Sequence, residues 1–184
     1  MAGRGTADER RDQIRRAATV AFARSGLHGV SIDTIAREVG ISEAYVFRLF
    51  GNKRALFIDV VVAACDRLTE GMVAAAAGRT GAEALTAMGD AYVELLGDRD
   101  RLLLQMQGFA ACADPTVRAA MQDAFGRLWN TVAERSELGD VPVKTFIGLG
   151  MLMNTLAALD VGTLDTEWAR AARSFVPFGP AGVI

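Results

Sequence analysis

Apolar residues recur at three- and four-residue spacing along almost the whole 184-residue chain. No alternation of period two lasts long enough to make a strand, so the pattern predicts an all-α fold. Thr6-Ala7-Asp8-Glu9 has the hydroxyl-then-carboxylate spacing of a capping box. The helix it opens carries Ile14, Ala17, Ala18, Ala21 and Phe22 on one face, and Gly26 ends it. Ser31 is placed to cap a short second helix with Ile32, Ile35, Ala36 and Val39 inward, and Gly40 stops that helix. Ser42 caps a third helix through Phe50. Gly51-Asn52 breaks the pattern again before a long helix from Lys53 to about Ala77.

The remainder reads as helix after helix. Leu85, Met88, Tyr92 and Leu95 form one stripe, and Leu102, Leu103, Met106, Phe109 and Ala110 the next. Asp114-Pro115 is an N-cap followed by proline at the first helical position. It opens a stripe of Val117, Met121, Phe125, Leu128 and Val132. Phe146–Leu159 is apolar on nearly every side, which predicts a helix buried all round, with Gly148 and Gly150 allowing close packing. A last helix is expected over Asp165–Phe175, and the tail VPFGPAGVI, with two prolines and two glycines, is expected to be irregular.

Composition narrows the class of protein. Length suits one domain, or a small domain joined to a larger one. Cys65 and Cys112 form no CxxC pair and read as small buried hydrophobes in a reducing cytoplasm. The charged N-terminus has no apolar stretch of the signal-peptide kind. The longest uncharged stretch, between Lys144 and Asp160, is shorter than the ~20 residues a membrane span needs. A cytoplasmic protein without membrane attachment is therefore expected. His28 is the sole histidine and sits in a Gly-Leu-His-Gly loop, so no metal site is expected. No nucleophile elbow, phosphate-binding glycine loop or acid–base pair stands out, and neither enzymatic activity nor a cofactor is expected.

Charge is unevenly spread. Residues 1–54 hold ten Lys/Arg against six Asp/Glu, a net +4, and residues 55–184 hold ten against sixteen, a net −6. An anionic partner at the amino-terminal end fits this asymmetry.

Helix, tight turn and helix within some 20 residues is the helix-turn-helix unit, whose second helix enters the DNA major groove. Ala36 stands where the two helices must cross closely, and Gly40 where a left-handed backbone is easiest for glycine. Ile41 and Val46 then point back at Ile32, Ile35 and Val39. At about 100° per residue, Val46, Leu49 and Phe50 share the inward side of the third helix. Ala44 and Arg48 lie opposite, with Tyr45 and Phe47 on the flanks. A small Ala44 lets such a helix approach base edges.

The stretch SIDTIAREVGISEAYVFRLFGNKRALF, Ser31 to Phe57, resembles the DNA-binding signature of the TetR family of bacterial transcriptional regulators. The segment AFARSGLHGVS is also similar to the end of that family's first helix. The resemblance implies an amino-terminal three-helix DNA-binding domain (residues 1–52) and a larger carboxy-terminal effector-binding and dimerisation domain (residues 53–184). It further implies a homodimeric, ligand-responsive repressor that leaves double-stranded operator DNA when a small effector binds. Phe47 departs from the family, which often has a phosphate-binding tyrosine there, and Tyr45 is placed to substitute. Glu43 stands where a lysine is common; a carboxylate suits a helix N-terminus but repels phosphate.

The candidate DNA-binding residues are Ser31, Thr34, Ser42, Glu43, Ala44, Tyr45, Phe47, Arg48 and Lys53. Four of them have a plainer reading: capping for Ser31 and Ser42, packing for Tyr45, solvated charge for Arg48. Arg4, Arg10 and Arg11 could add a basic arm. Met88, Tyr92, Met106, Phe109, Phe125, Trp129 and Met151, with Asn154 as a polar anchor, are the candidate lining of an apolar or amphipathic effector cavity. A plain core explains the same residues. Dimerisation is expected through Phe146–Leu159 and Asp165–Phe175. The alternatives are a helical protein-interaction module, or a constitutive regulator with no effector.

Overall fold

A computed structural model of the protein describes the backbone of residues 2–174 and the side chains of residues 7–174. The expected irregular tail Val176–Ile184, Phe175 and the side chains of Arg4 and Thr6 lie outside the described residues. Within them there is no strand. The order is α1 (Ala2–Gly29), α2 (Ile32–Val39), α3 (Glu43–Phe50), α4 (Lys53–Ala75), α5 (Gly81–Leu95), α6 (Arg99–Ala110), α7 (Pro115–Ser136), α8 (Asp140–Ala158), a 3-10 turn (Val161–Thr163) and α9 (Glu167–Arg173). The chain divides into two compact units.

The first unit takes the residues up to Cys65 together with Asp100–Asp123. Ile14, Ala18 and Phe22, four apart on α1, are fully buried. Phe22 meets Phe57 of α4 edge-on, with centroids 5.1 Å apart and planes at 87°, an attractive geometry for two rings. Ile32, Ile35, Ala36 and Val46 join this core from α2 and α3. α1 already runs from Ala2, so Thr6 is not its N-cap; no proline stands before it to stop the helix. Gly26 does break the regular helix, at φ 65°, with the chain continuing as a helical turn to Gly29. α4 ends at Ala75, short of Ala77, where the chain turns toward Gly78 at φ 74°.

The buried side of α6 differs from the expected stripe. Leu102, Leu104, Gln105 and Gly108 are buried. Leu103, Met106 and Phe109 are only half-buried, and Ala110 is exposed. The reason is Gly108: a Cβ there would lie 2.7 Å from Val61 Cγ1 and 2.9 Å from Met121 Sδ. The helix makes its closest approach through a residue that an apolar-pattern reading leaves out. Cys112 is half-buried and its thiol donates to Gly108 O at 3.3 Å.

The second unit comprises Asp66–Arg99 and the described residues from Ala124 on. Met72, Leu85, Met88, Tyr92, Val132, Val143, Phe146 and Ile147 form its core, with Phe125, Leu128, Trp129 and Leu95 packed against it. Arg99 closes the C-terminal end of α8, donating to Ala157 O at 3.1 Å and Ala158 O at 3.2 Å. A cation there also complements the helix dipole.

Three expectations for this unit need correction. α8 is not buried all round: Leu152 is 46% exposed and Leu159, just beyond it, 65%. The apolar residues are there, but this chain covers only one side of the helix. An added Cβ would meet nothing at Gly148, and only the Tyr92 ring at 3.6 Å beside Gly150, so neither glycine marks close packing here. α8 also begins at Asp140, ahead of the uncharged stretch, and at 19 residues it is long and apolar enough by those measures to cross a membrane. The last helix is shorter than Asp165–Phe175. Thr166 holds the extended N-cap position, leaving Asp165 outside, and Ser174 is already extended.

Candidate nucleic-acid interface and effector region

α2 and α3 are set by local chemistry. Ser31 Oγ accepts from the Thr34 N–H at 3.2 Å, and Ser42 Oγ from the Tyr45 N–H at 3.3 Å. Each bond satisfies one of the N–H groups a helix start leaves unpaired. Gly40 ends α2 at φ 69°, ψ 37°, the left-handed region that glycine enters without strain. Ile41 N–H then reaches back to Ala36 O at 3.0 Å. The turn between the helices is therefore fixed by two serines and one glycine.

That turn points α3 outward along one side. Val46 is buried, Leu49 and Phe50 are half-buried, and Glu43, Ala44, Phe47 and Arg48 are exposed. Phe47 shows 38% of its surface. Tyr45 is half-buried, and the Arg48 guanidinium lies over its ring at 4.5 Å. A cation held on an aromatic face loses less freedom when it meets a further partner. Ser31 and Thr34 are exposed, with their hydroxyls 2.8 Å apart. Asp33 pairs with Arg37 on the surface of α2 at 2.9 Å.

Lys53 has a role that the sequence reading missed. Its ammonium donates to Val30 O at 3.1 Å, tying the start of α4 to the turn before α2. The cap of α4 is Asn52, whose Oδ1 accepts from the Ala55 N–H at 2.9 Å. Asx residues before a helix are a local signal for that cap; the Lys53 bond spans 23 residues and leaves no such signal. Arg11 is not a free arm either, since its guanidinium stands over the Phe50 ring at 5.6 Å. Arg10 bonds to Gln13 at 2.7 Å.

Two ion pairs brace the same unit. Arg15 on α1 grips Asp59 on α4 through Nε at 2.8 Å and Nη2 at 3.0 Å. The hydrogen bond to Asp59 raises the Arg15 pKa above its ordinary value, against the opposing effect of burial. Arg54 pairs with Asp114 at 3.0 Å. Desolvation alone would push the Asp114 carboxyl up. The Val117 and Thr116 N–H groups and the Arg54 charge outweigh it and hold the carboxyl below its ordinary value.

Residues 14–60 match the family described as bacterial regulatory proteins, tetR family. Those residues carry the amino-terminal signature of that family, and they span about a quarter of the chain. A 65-residue stretch of this chain is 34% identical to the HTH-type transcriptional activator FasR of Mycolicibacterium smegmatis. That match covers 35% of this chain and 30% of FasR, so less than a third of that relative is spanned. Among solved structures, the fatty acid degradation regulator FadR of Bacillus halodurans aligns over 94% of this chain and 96% of its own, with a TM-score of 0.73 at 17% identity. FadR of Bacillus subtilis, solved in complex with stearoyl-CoA, aligns over 89% and 94%, with a TM-score of 0.69 at 17% identity. At that identity the likeness is one of fold.

The second unit brings part of the candidate effector set together. Tyr92 OH donates to Asn154 Oδ1, and Asn154 Nδ2 faces Met151 Sδ at 3.9 Å. Met88 is fully buried in the same unit, with Phe125 and Trp129 at the core's edge. Met106 and Phe109 belong to the Asp100–Asp123 segment of the first unit. An apolar cleft of about 540 Å³ does lie within the second unit, and none of the eight candidate residues lines it. Its walls come from the end of α5, the second half of α8, the 3-10 turn and the end of α9. The signal that could have found it is the set of α8 leucines left over once the core is filled.

Proposed function

We propose that the chain is a ligand-responsive, DNA-binding transcriptional repressor that acts as a cytoplasmic homodimer. The observation that carries this reading is the outward side of α3, where Ala44 and Arg48 stand exposed on a helix whose start is fixed by Ser42. Residues 1–52 supply the reading head, with Arg48 directed at a base edge and Ser31, Thr34, Ser42, Tyr45 and Lys53 at phosphates. The half-covered α8, with α9, supplies the surface for a second copy, because stable homodimer interfaces resemble a core cut in half. An apolar or amphipathic effector relieves repression by binding the non-DNA-binding state more tightly. The stearoyl-CoA complex of the Bacillus subtilis relative supports an acyl compound as that effector.

The test selects a binding site from a random duplex pool and compares Arg48→Ala with Lys53→Ala across a salt series. A bidentate arginine–guanine contact is worth about 1–3 kcal/mol of discrimination. Arg48→Ala should therefore weaken the selected site more than random DNA. Lys53→Ala should weaken both alike and lower the salt slope by about one unit per subunit. No enrichment from the pool would sink the reading. It would favour a helical interaction module, for which exposed Phe47 and Glu43 would be the natural contact.

A further inference from the structure

We propose that Phe47 reads the 5-methyl group of a pyrimidine in the major groove, next to the base that Arg48 meets. The proposal rests on the DNA-binding reading above and adds a base-reading residue to it. α3 carries three aromatic side chains, Tyr45, Phe47 and Phe50. Two of them hold cations: Tyr45 lies under the Arg48 guanidinium at 4.5 Å, and Phe50 under that of Arg11 at 5.6 Å. Among the described residues the Phe47 ring holds none, and it is the exposed one of the three. The other exposed large apolar side chains, from Val93 to Trp168, all belong to the second unit. Among the described residues of the first unit, the one large apolar group left exposed therefore stands on the outward side of the second helix of the helix-turn-helix.

The neighbours of Phe47 decide what its edge of the helix can meet. Glu43 and Phe47, four apart, form one row, and Ala44 and Arg48 the next. A phosphate does not suit the first row. It repels the Glu43 carboxylate, and a phenyl ring offers it neither charge nor donor. The floor of the groove does suit it. Each base pair there shows donors and acceptors, and thymine adds one apolar group, its C5-methyl. Ring and methyl both leave water when they meet. A cytosine methylated at C5 presents the same group. Arg48 does not compete for this space: on the helical wheel Tyr45 lies beyond it, so a guanidinium resting on Tyr45 leans away from Phe47. Small Ala44 separates the two. Consecutive Cα atoms are about 3.8 Å apart, close to the roughly 3.4 Å between base pairs. The methyl should therefore lie within about two base pairs of the guanine that Arg48 reads.

The probe is the duplex enriched from the random pool, with each thymine replaced in turn by deoxyuridine, which removes only the methyl. The full-length wild type should lose about fourfold in affinity at one thymine near the guanine, the worth of one buried methyl-sized group. Phe47→Ala should bind the thymine duplex about fourfold more weakly and lose nothing further on the uracil form. Phe47→Leu should keep most of the discrimination and Phe47→Gln remove it, with melting curves to check that each variant is folded. Cytosine and 5-methylcytosine at the same position separate the sources. A gain from the cytosine methyl extends the reading to methylated DNA; a methyl effect at thymine alone confines it to thymine. Losses that multiply to about sixteenfold in Phe47→Ala on the uracil duplex overturn the assignment, because the methyl is then read by another residue such as Ala44. So does a selected site with no methyl-dependent thymine near the guanine. That result leaves the DNA-binding reading intact, whereas a pool that yields no enriched duplex removes both.

Discussion

Gly108→Ala sets two effects of known size against each other. In a helix interior, alanine is better than glycine by about 1 kcal/mol. At this position the new methyl would stand 2.7 Å from Val61 Cγ1 and 2.9 Å from Met121 Sδ. Methionine can swing its sulfur away, but a β-branched valine on a helix has one favoured rotamer, and Val61 is 1% exposed. Overpacking of this kind costs roughly 1–3 kcal/mol. Taking the middle of that range, the net effect is a loss of about 1 kcal/mol. Val61→Ala alone should cost on the order of 2 kcal/mol through the cavity it leaves. If the two changes were independent, the double variant would lose about 3 kcal/mol. If Val61 is the obstacle, the double variant removes the clash and keeps the helix gain, and it should lose only about 1 kcal/mol. Urea unfolding of the four proteins, with unchanged m-values, reads this directly. A Gly108→Ala protein that is more stable than the wild type, or an additive double variant, would refute the close approach of α6 to α4.

Three further outcomes are expected. Lys53→Met should destabilise the first unit by about 1 kcal/mol through loss of the bond to Val30 O, even with no DNA present; an unchanged urea midpoint would show that this bond contributes nothing. Leu159→Glu combined with Trp168→Glu, both changes at exposed apolar positions near α8 and on α9, should turn a micromolar dimer into a monomer by light scattering. A wild type already monomeric at that concentration removes the dimer proposal. Asp114 is held below the ordinary carboxylate value, so the folded form binds its proton more weakly than the unfolded form. Its contribution to stability should be complete above that value and fade as pH falls below it, so the gap in melting temperature between wild type and Asp114→Asn should narrow under acid and stay constant from pH 5 to 7.

What the sequence made legible was local. Ser31, Gly40 and Ser42 write the boundaries of α2 and α3 within four residues of where they act, and the structure has each bond in place. The burial of Ile14, Ala18 and Phe22 follows from one helical period. Contacts made at a distance were not legible. Gly108 has no apolar side chain, so the hydrophobic pattern does not centre α6 on it. The bond from Lys53 to Val30 joins two turns whose meeting depends on the packing of α1 and α4. The apolar residues of α8 predict a helix buried all round, but this chain leaves Leu152 46% exposed, and a sequence pattern does not say whether a helix's cover comes from its own chain.

The first unit is assembled from two separate lengths of chain, and that bears on how it could be moved between proteins. Leu104, Val117 and Met121 share one core with Phe22, Phe57 and Val61. A fragment cut after residue 52 or 65 would leave behind the partners of its own buried side chains. A graft of residues 1–52 onto a relative would inherit a foreign set of them. Exchanging DNA specificity between such proteins is therefore better done by rewriting the exposed positions of α3 than by transplanting the segment that carries it.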